Sequence, residues 1–164
     1  FTGRLGLLNN RNFEINSTVR YSHIDSSGFP DDSGGPEFAV IRSVDRRNIG
    51  QLLLGVDLTH EVLPWWEYRL ELAYYNNKEK FSSPGVAPGI RDPFGIPPNS
   101  SDNDFKRYDA NFVNTFTIRN GVVLAAGFEA EIEDGKSDGE IMLGAPVPTN
   151  FALRRYILSP YAEI

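Results

Sequence analysis

Apolar and polar residues alternate with a period of two along most of this chain, and a helical period is hard to find anywhere in it. From Phe13 the odd positions read Phe13, Ile15, Ser17, Val19 and Tyr21, with Glu14, Asn16, Thr18 and Arg20 between them. The alternation returns as Leu52, Leu54, Val56 and Leu58. It returns again as Trp66, Tyr68, Leu70, Leu72 and Tyr74 against Glu67, Arg69 and Glu71. Further on it runs Tyr108, Ala110, Phe112 and, past Asn114, Phe116. A last clear run sets Val122, Leu124, Ala126, Phe128, Ala130 and Ile132 against Glu129, Glu131 and Glu133. Residues two apart share one face of a strand, whereas a helix would scatter these charges around its circumference. The pattern predicts an all-β, antiparallel chain of seven strands, at about 3–8, 13–25, 49–60, 65–80, 104–118, 121–134 and 151–164.

Several of these strands run well past the usual 5–6 residues or so. At about 3.3 Å per residue, a 13-residue strand such as 13–25 reaches roughly 40 Å. The connections alternate in length. Asn9–Asn12, Glu61–Pro64 and Arg119-Asn120-Gly121 are short, and the last carries an Asn-Gly hairpin signal. Ser26–Asn48, Ser82–Asn103 and Gly135–Asn150 are long. Antiparallel neighbours then collect every short turn at one end and every long loop at the other, the asymmetry of outer-membrane β-barrels.

Composition narrows the classes. With 40% hydrophobic residues, 15 glycines and 23% charged residues, the chain has the make-up of a folded domain. No apolar run is long enough for a transmembrane helix, which leaves transmembrane strands open. The absence of cysteine removes disulfides, cysteine-zinc sites and thiol nucleophiles. A net charge of −6 argues against nucleic acid as a partner. The chain begins at Phe1 without an initiator Met or signal peptide and reads as a mature or excised piece. Alternation alone does not say whether the apolar face meets lipid or a dry core. Strand length, loop asymmetry and aromatics near strand ends (Trp65, Trp66, Tyr68, Tyr74, Tyr75) favour lipid. Seven strands do not close a single-chain bacterial barrel, so residues 1–164 read as part of a larger one.

The stretch Tyr108–Glu133, YDANFVNTFTIRNGVVLAAGFEAEIE, joins a strand ending in Asn-Thr-Phe to one carrying Gly127-Phe128-Glu129 and then Glu131. It resembles barrel strands of TonB-dependent outer-membrane receptors of the siderophore and cobalamin type. Arg154–Glu163, ending Pro160-Tyr161-Ala162-Glu163, resembles the next strand after an extracellular loop. Phe13–Asp25 followed by SSGFPDDSGG is similar to an earlier hairpin. The resemblance implies a 22-stranded transmembrane barrel with an N-terminal plug in the bacterial outer membrane, driven through TonB. It implies uptake of a nutrient complex such as a ferric siderophore or cobalamin, met by long extracellular loops. Its implied partners are outer-membrane lipid, that small-molecule complex and, through a plug not found in residues 1–164, the TonB system. No family ligand residue maps onto this chain. Two other readings stay open: a soluble antiparallel barrel or sandwich that binds carbohydrate or another ligand, and a small outer-membrane barrel of other function.

No catalytic set is expected. His23 and His60 lie about a strand length apart, and neither a phosphate loop nor a dinucleotide fingerprint is present. His23-x-Asp25 offers a metal only two ligands. Asp31-Asp32 and Asp102-x-Asp104 place carboxylates in two long loops, where they are either solvated acids or convergent ligands for a loop-bound Ca²⁺ as the one candidate cofactor. The Ser82–Asn103 loop holds Pro84, Pro88, Pro93, Pro97 and Pro98, so it extends neither sheet nor helix. The candidate ligand-facing residues are Asp31, Asp32, Arg91, Asp92, Phe94 and Asp102. Glu129, Glu131 and Glu133, with Glu67, Arg69 and Glu71, are expected to form a salt-bridged wall along a polar lumen.

Overall fold

In a computed structural model, each strand pairs antiparallel with its neighbour in sequence. The structure describes residues 1–10, 12–90, 92–118 and 121–164, and the side chains of 7–10 are outside the description. The strands are β1 (Thr2–Asn10), β2 (Phe13–Gly28), β3 (Asp45–Leu63), β4 (Trp66–Ser83), β5 (Asn99–Thr117), β6 (Val123–Leu143), β7 (Ala145–Pro148) and β8 (Phe151–Glu163). One helical turn, α1 (Gly35–Phe38), lies between β2 and β3. The sheet has eight strands in the order β1-β2-β3-β4-β5-β6-β7, with β8 also on β6. Among the described residues β1 and β8 do not pair, so the sheet is open.

The strands run further toward the long connections than their sequence pattern predicts. β6 has 21 residues, and β3 and β5 have 19 each. The expected loop at Gly135–Asn150 is instead a hairpin that turns at Gly144 and returns as β7. β7 and β8 follow the same side of β6, and Gly139 bridges the break between them through Thr149 and Asn150. The Ser26–Asn48 and Ser82–Asn103 connections shrink to residues 29–44 and 84–98. Polar residues hid these extensions, because a strand with two wet faces shows no apolar alternation.

The 84–98 connection is ordered without being sheet. Val86 and Ile96 exchange both backbone hydrogen bonds, at 2.8 and 2.9 Å. Asp92 Oδ1 accepts from the Phe94 and Gly95 amides at 3.1 and 3.2 Å. Gly85 and Gly95 hold φ of 78° and 63°, and a Cβ on either would run into the carbonyl of Ile96 or Val86.

Register separates the two faces cleanly. On one, successive rungs read Ile15–Leu58–Leu70–Phe112–Phe128–Pro160, Ser17–Val56–Leu72–Ala110–Ala130–Leu158 and Val19–Leu54–Tyr74–Tyr108–Ile132–Tyr156. Aromatic rings bound this apolar face at both ends. Toward the short turns His60 stands edge-on between Phe13 and Tyr68, at centroid distances of 5.4 and 5.3 Å, and Trp66 stacks on Phe116 at 6.1 Å. Toward the long connections Tyr74 meets Tyr108 at 5.0 Å. Tyr75, grouped with the aromatics near strand ends, lies on the face opposite Tyr74 as the alternation has it, and its hydroxyl accepts from Gln51 at 3.2 Å.

Nothing among the described residues packs over the apolar face. Among the described residues Ala39 is the one hydrophobic residue with a buried side chain, and it lies in the connection after α1. The chain exposes 11,688 Å², against roughly 8,100 Å² expected for a folded monomer of this mass.

Candidate functional site

The polar face carries the densest chemistry. Cross-strand pairing brings β3, β4, β5 and β6 together at Asp57–Glu71–Asn111–Glu129, and one rung nearer the long connections at Gly55–Ala73–Asp109–Glu131. Asp57 thus stands directly opposite Glu71, and Asp109 opposite Glu131, pairings that are unfavourable without intervening cations. Three arginines intervene. Arg69 pairs with Glu71 at 2.5 Å. Arg107 reaches Asp109 at 3.0 Å and Glu131 at 3.9 Å. Arg155 on β8 reaches Glu131 at 3.3 Å and Glu133 at 2.7 Å. Asn111 completes the mesh, donating to Glu71 and accepting from the Tyr161 hydroxyl, both at 3.1 Å.

The expected wall is assembled in part: β5 brings Glu71 and Glu129 to one rung across Asn111, with Glu131 and Glu133 beyond, while Glu67 lies two rungs toward the short turns, opposite Thr115. Arg107 and Arg155, its bridging cations, were missed as site residues. Both occupy polar-face positions in alternating strands, which is the signal that could have found them. Gly55 and Ala73 are too small to fill the centre. They leave a hollow of about 430 Å³ walled by Asp57, Glu71, Arg107, Asp109 and Glu129. Carboxylates outnumber arginines there, so the surface favours water and polar or cationic groups.

Gly127 shows how tightly this face is built. A Cβ there would strike the Phe112 carbonyl and the Tyr161 ring, whose Cζ lies 3.0 Å away. Tyr161 crosses β6 at this glycine to reach Asn111, tying β8 to β5.

The predicted loop residues do not converge on one site. Asp31 and Asp32 are exposed in the turn before α1, with Asp32 at φ 64°. Arg91 lies outside the described residues. Asp92 is used by its own turn, and Phe94 is exposed. Asp102 belongs to strand β5 rather than a loop. It faces the apolar side of the sheet, beyond the tyrosines, and pairs with Lys80 at 3.2 Å. Asp104 likewise lies on β5, between Lys78 at 3.8 Å and Lys106 at 3.5 Å. Among the described residues no three His, Asp or Glu side chains are grouped to hold a metal. His23 bonds Asp25 at 2.9 Å, and Asn48 donates to the same carboxylate; among the described residues no hydroxyl is bonded to His23 as a nucleophile would be.

Comparison of the chain with protein-family models, with curated proteins and with solved structures gives no match.

Proposed function

We propose that these residues form a transmembrane sector of an outer-membrane β-barrel, and that the barrel is a receptor-transporter of the TonB-dependent kind. One observation carries the membrane reading. An apolar band bounded by aromatic rows covers one face of a single-layer sheet, and none of the described residues covers it. A lone layer with one apolar face is not stable in water, because that face must pack on something. Lipid meets the requirement with no second layer, and an open edge then calls for further strands to close the barrel. From Trp66 to Tyr74 is nine residues, against about 9–11 for a tilted membrane strand. The soluble-sandwich reading needs a covering sheet in its place.

On this reading the polar face lines the lumen. Its charged wall keeps the pathway wet, and the organised 84–98 and 29–44 connections meet a nutrient complex, such as a ferric siderophore or cobalamin, at the outer mouth. The transport reading draws on the sequence resemblance and on this division of surfaces. The test uses the intact protein in living cells. A membrane-impermeant maleimide should label Gly89→Cys at the tip of the 84–98 connection and spare Asn12→Cys at a short turn. Uptake of the nutrient should stop when a protonophore collapses the energy supply. Recovery of the intact protein in the soluble fraction would overturn the membrane reading; uptake indifferent to the protonophore would overturn only the energised one.

A further inference from the structure

We infer that the cleft between the 29–44 connection and strands β2–β4 binds the phosphorylated headgroup of an outer-leaflet saccharolipid; this rests on the membrane reading above. The cleft encloses about 510 Å³. Its floor is the rung Ser27–Arg46–Ser82, an arginine with a serine directly opposite on each side. The neighbouring rung adds Asn48 and Lys80, and Val44 contributes apolar wall. Arg42, anchored by donating to the Pro36 carbonyl at 2.9 Å, lines the adjoining hollow with Arg46.

Charge in the cleft is unevenly committed. Asp25 is held by His23 and Asn48, and Asp102 by Lys80. Lys80 retains donors beyond that one partner, and its side chain is 73% exposed. Among the described residues the Arg46 guanidinium has no hydrogen-bond or ion-pair partner. A planar guanidinium flanked by hydroxyls and an ammonium is suited to a phosphate.

Position decides between a lipid and a free solute. Arg46, Lys80, Asn48, Ser27 and Ser82 all project on the face that carries the apolar band, whereas a transported solute would meet the luminal face. Arg47, one residue on, projects to the luminal side and is paired there with Glu79 at 2.7 Å. Depth decides between lipid types. Arg46 lies six residues outward of Leu52, roughly 20 Å along the strand and so roughly 14 Å of depth at a tilt near 45°. Glycerophospholipid headgroups add only about 5–7 Å to each side of the hydrocarbon. A phosphate borne on a sugar headgroup reaches the cleft.

The test reconstitutes the intact protein into phosphatidylcholine vesicles doped with phosphorylated-core lipopolysaccharide or with phosphatidylglycerol, and counts the lipids retained on extraction. Lipopolysaccharide should be kept in preference to phosphatidylglycerol, and excess inorganic phosphate should not displace it. Arg46→Gln with Lys80→Gln should lower retention about 30-fold, and Lys136→Gln, outside the cleft, should not. Ser82→Asp, which puts an anion on the floor, should reproduce the loss if the double variant inserts poorly. Equal retention by wild type and variants, or displacement by inorganic phosphate, would overturn the inference while leaving an inserted barrel. Failure of the wild-type protein to insert at all would instead overturn the membrane reading.

Discussion

The same strands present the same face in two different ways. Between the His60–Tyr68 rung and the Tyr74–Tyr108 rung, that face carries no Lys, Arg, Asp or Glu. One rung outward it becomes a chequerboard. Asn76–Lys106–Asp134–Arg154 is followed by Lys78–Asp104–Lys136 and then Lys80–Asp102–Asp138. Arg154 donates to Asp134 from Nε at 2.8 Å, and Lys136 to Asp138 at 2.5 Å. Backbone pairing continues without a break across the boundary, so hydrogen bonding does not mark it. What changes is the medium the side chains suit, and a row of tyrosines, amphipathic in themselves, lies at the change.

The comparison breaks most sharply under a charge. Leu72→Arg, in the middle of the band, should cost about 2–4 kcal/mol in unfolding from a bilayer, whereas Asn76→Arg, two rungs outward on the same strand and face, should cost about 0–1. Equal costs would erase the boundary. Next comes Gly127→Ala on the polar face, where the new methyl group has no room. It should cost about 1–3 kcal/mol by overpacking, and a costless change would show that Tyr161 does not cross β6 there. Arg155→Ala should cost about 1 kcal/mol, because it leaves Glu133 and the Glu131 that faces Asp109 with one cation fewer; pairing it with Glu131→Ala in a double-mutant cycle should recover part of that loss.

The smallest effect belongs to the outer half. Asp138, by its hydrogen bond first and its charge second, holds the Lys136 ammonium above its ordinary 10.5. A raised value in the folded state gives stability that is complete below 10.5 and fades as pH climbs through the higher folded value. Asp138→Asn should therefore differ slightly from wild type near neutrality and converge with it in strong alkali. A gap that widens with alkali would reverse the sign.

How much was legible in the sequence follows from the same boundary. Where one face is apolar and the other polar, alternation located the strands and sorted Leu70 from Glu71. Where both faces are polar, as in Asn99–Asn103 and Gly135–Glu140, the sequence carries no period and strand reads as loop; Asp102 reads as a loop residue for that reason. The charged wall of the polar face was half legible. Its glutamates stand in a visible stripe, but Arg107 and Arg155 join it only through register, which tertiary pairing sets. The cleft around Arg46 was not legible at all, since Ser27, Arg46 and Ser82 come from three separate strands.

The central claim is that the Leu72 face meets lipid and the Glu71 face does not. The chain has no cysteine, so single spin labels at Leu72→Cys and Glu71→Cys in the vesicle-reconstituted intact protein test it directly. The label at 72 should collide readily with dissolved oxygen and poorly with a water-soluble nickel chelate, and the label at 71 should do the reverse. Nickel access at 72 equal to that at 71 would place the apolar band in water or against protein, and would contradict the account.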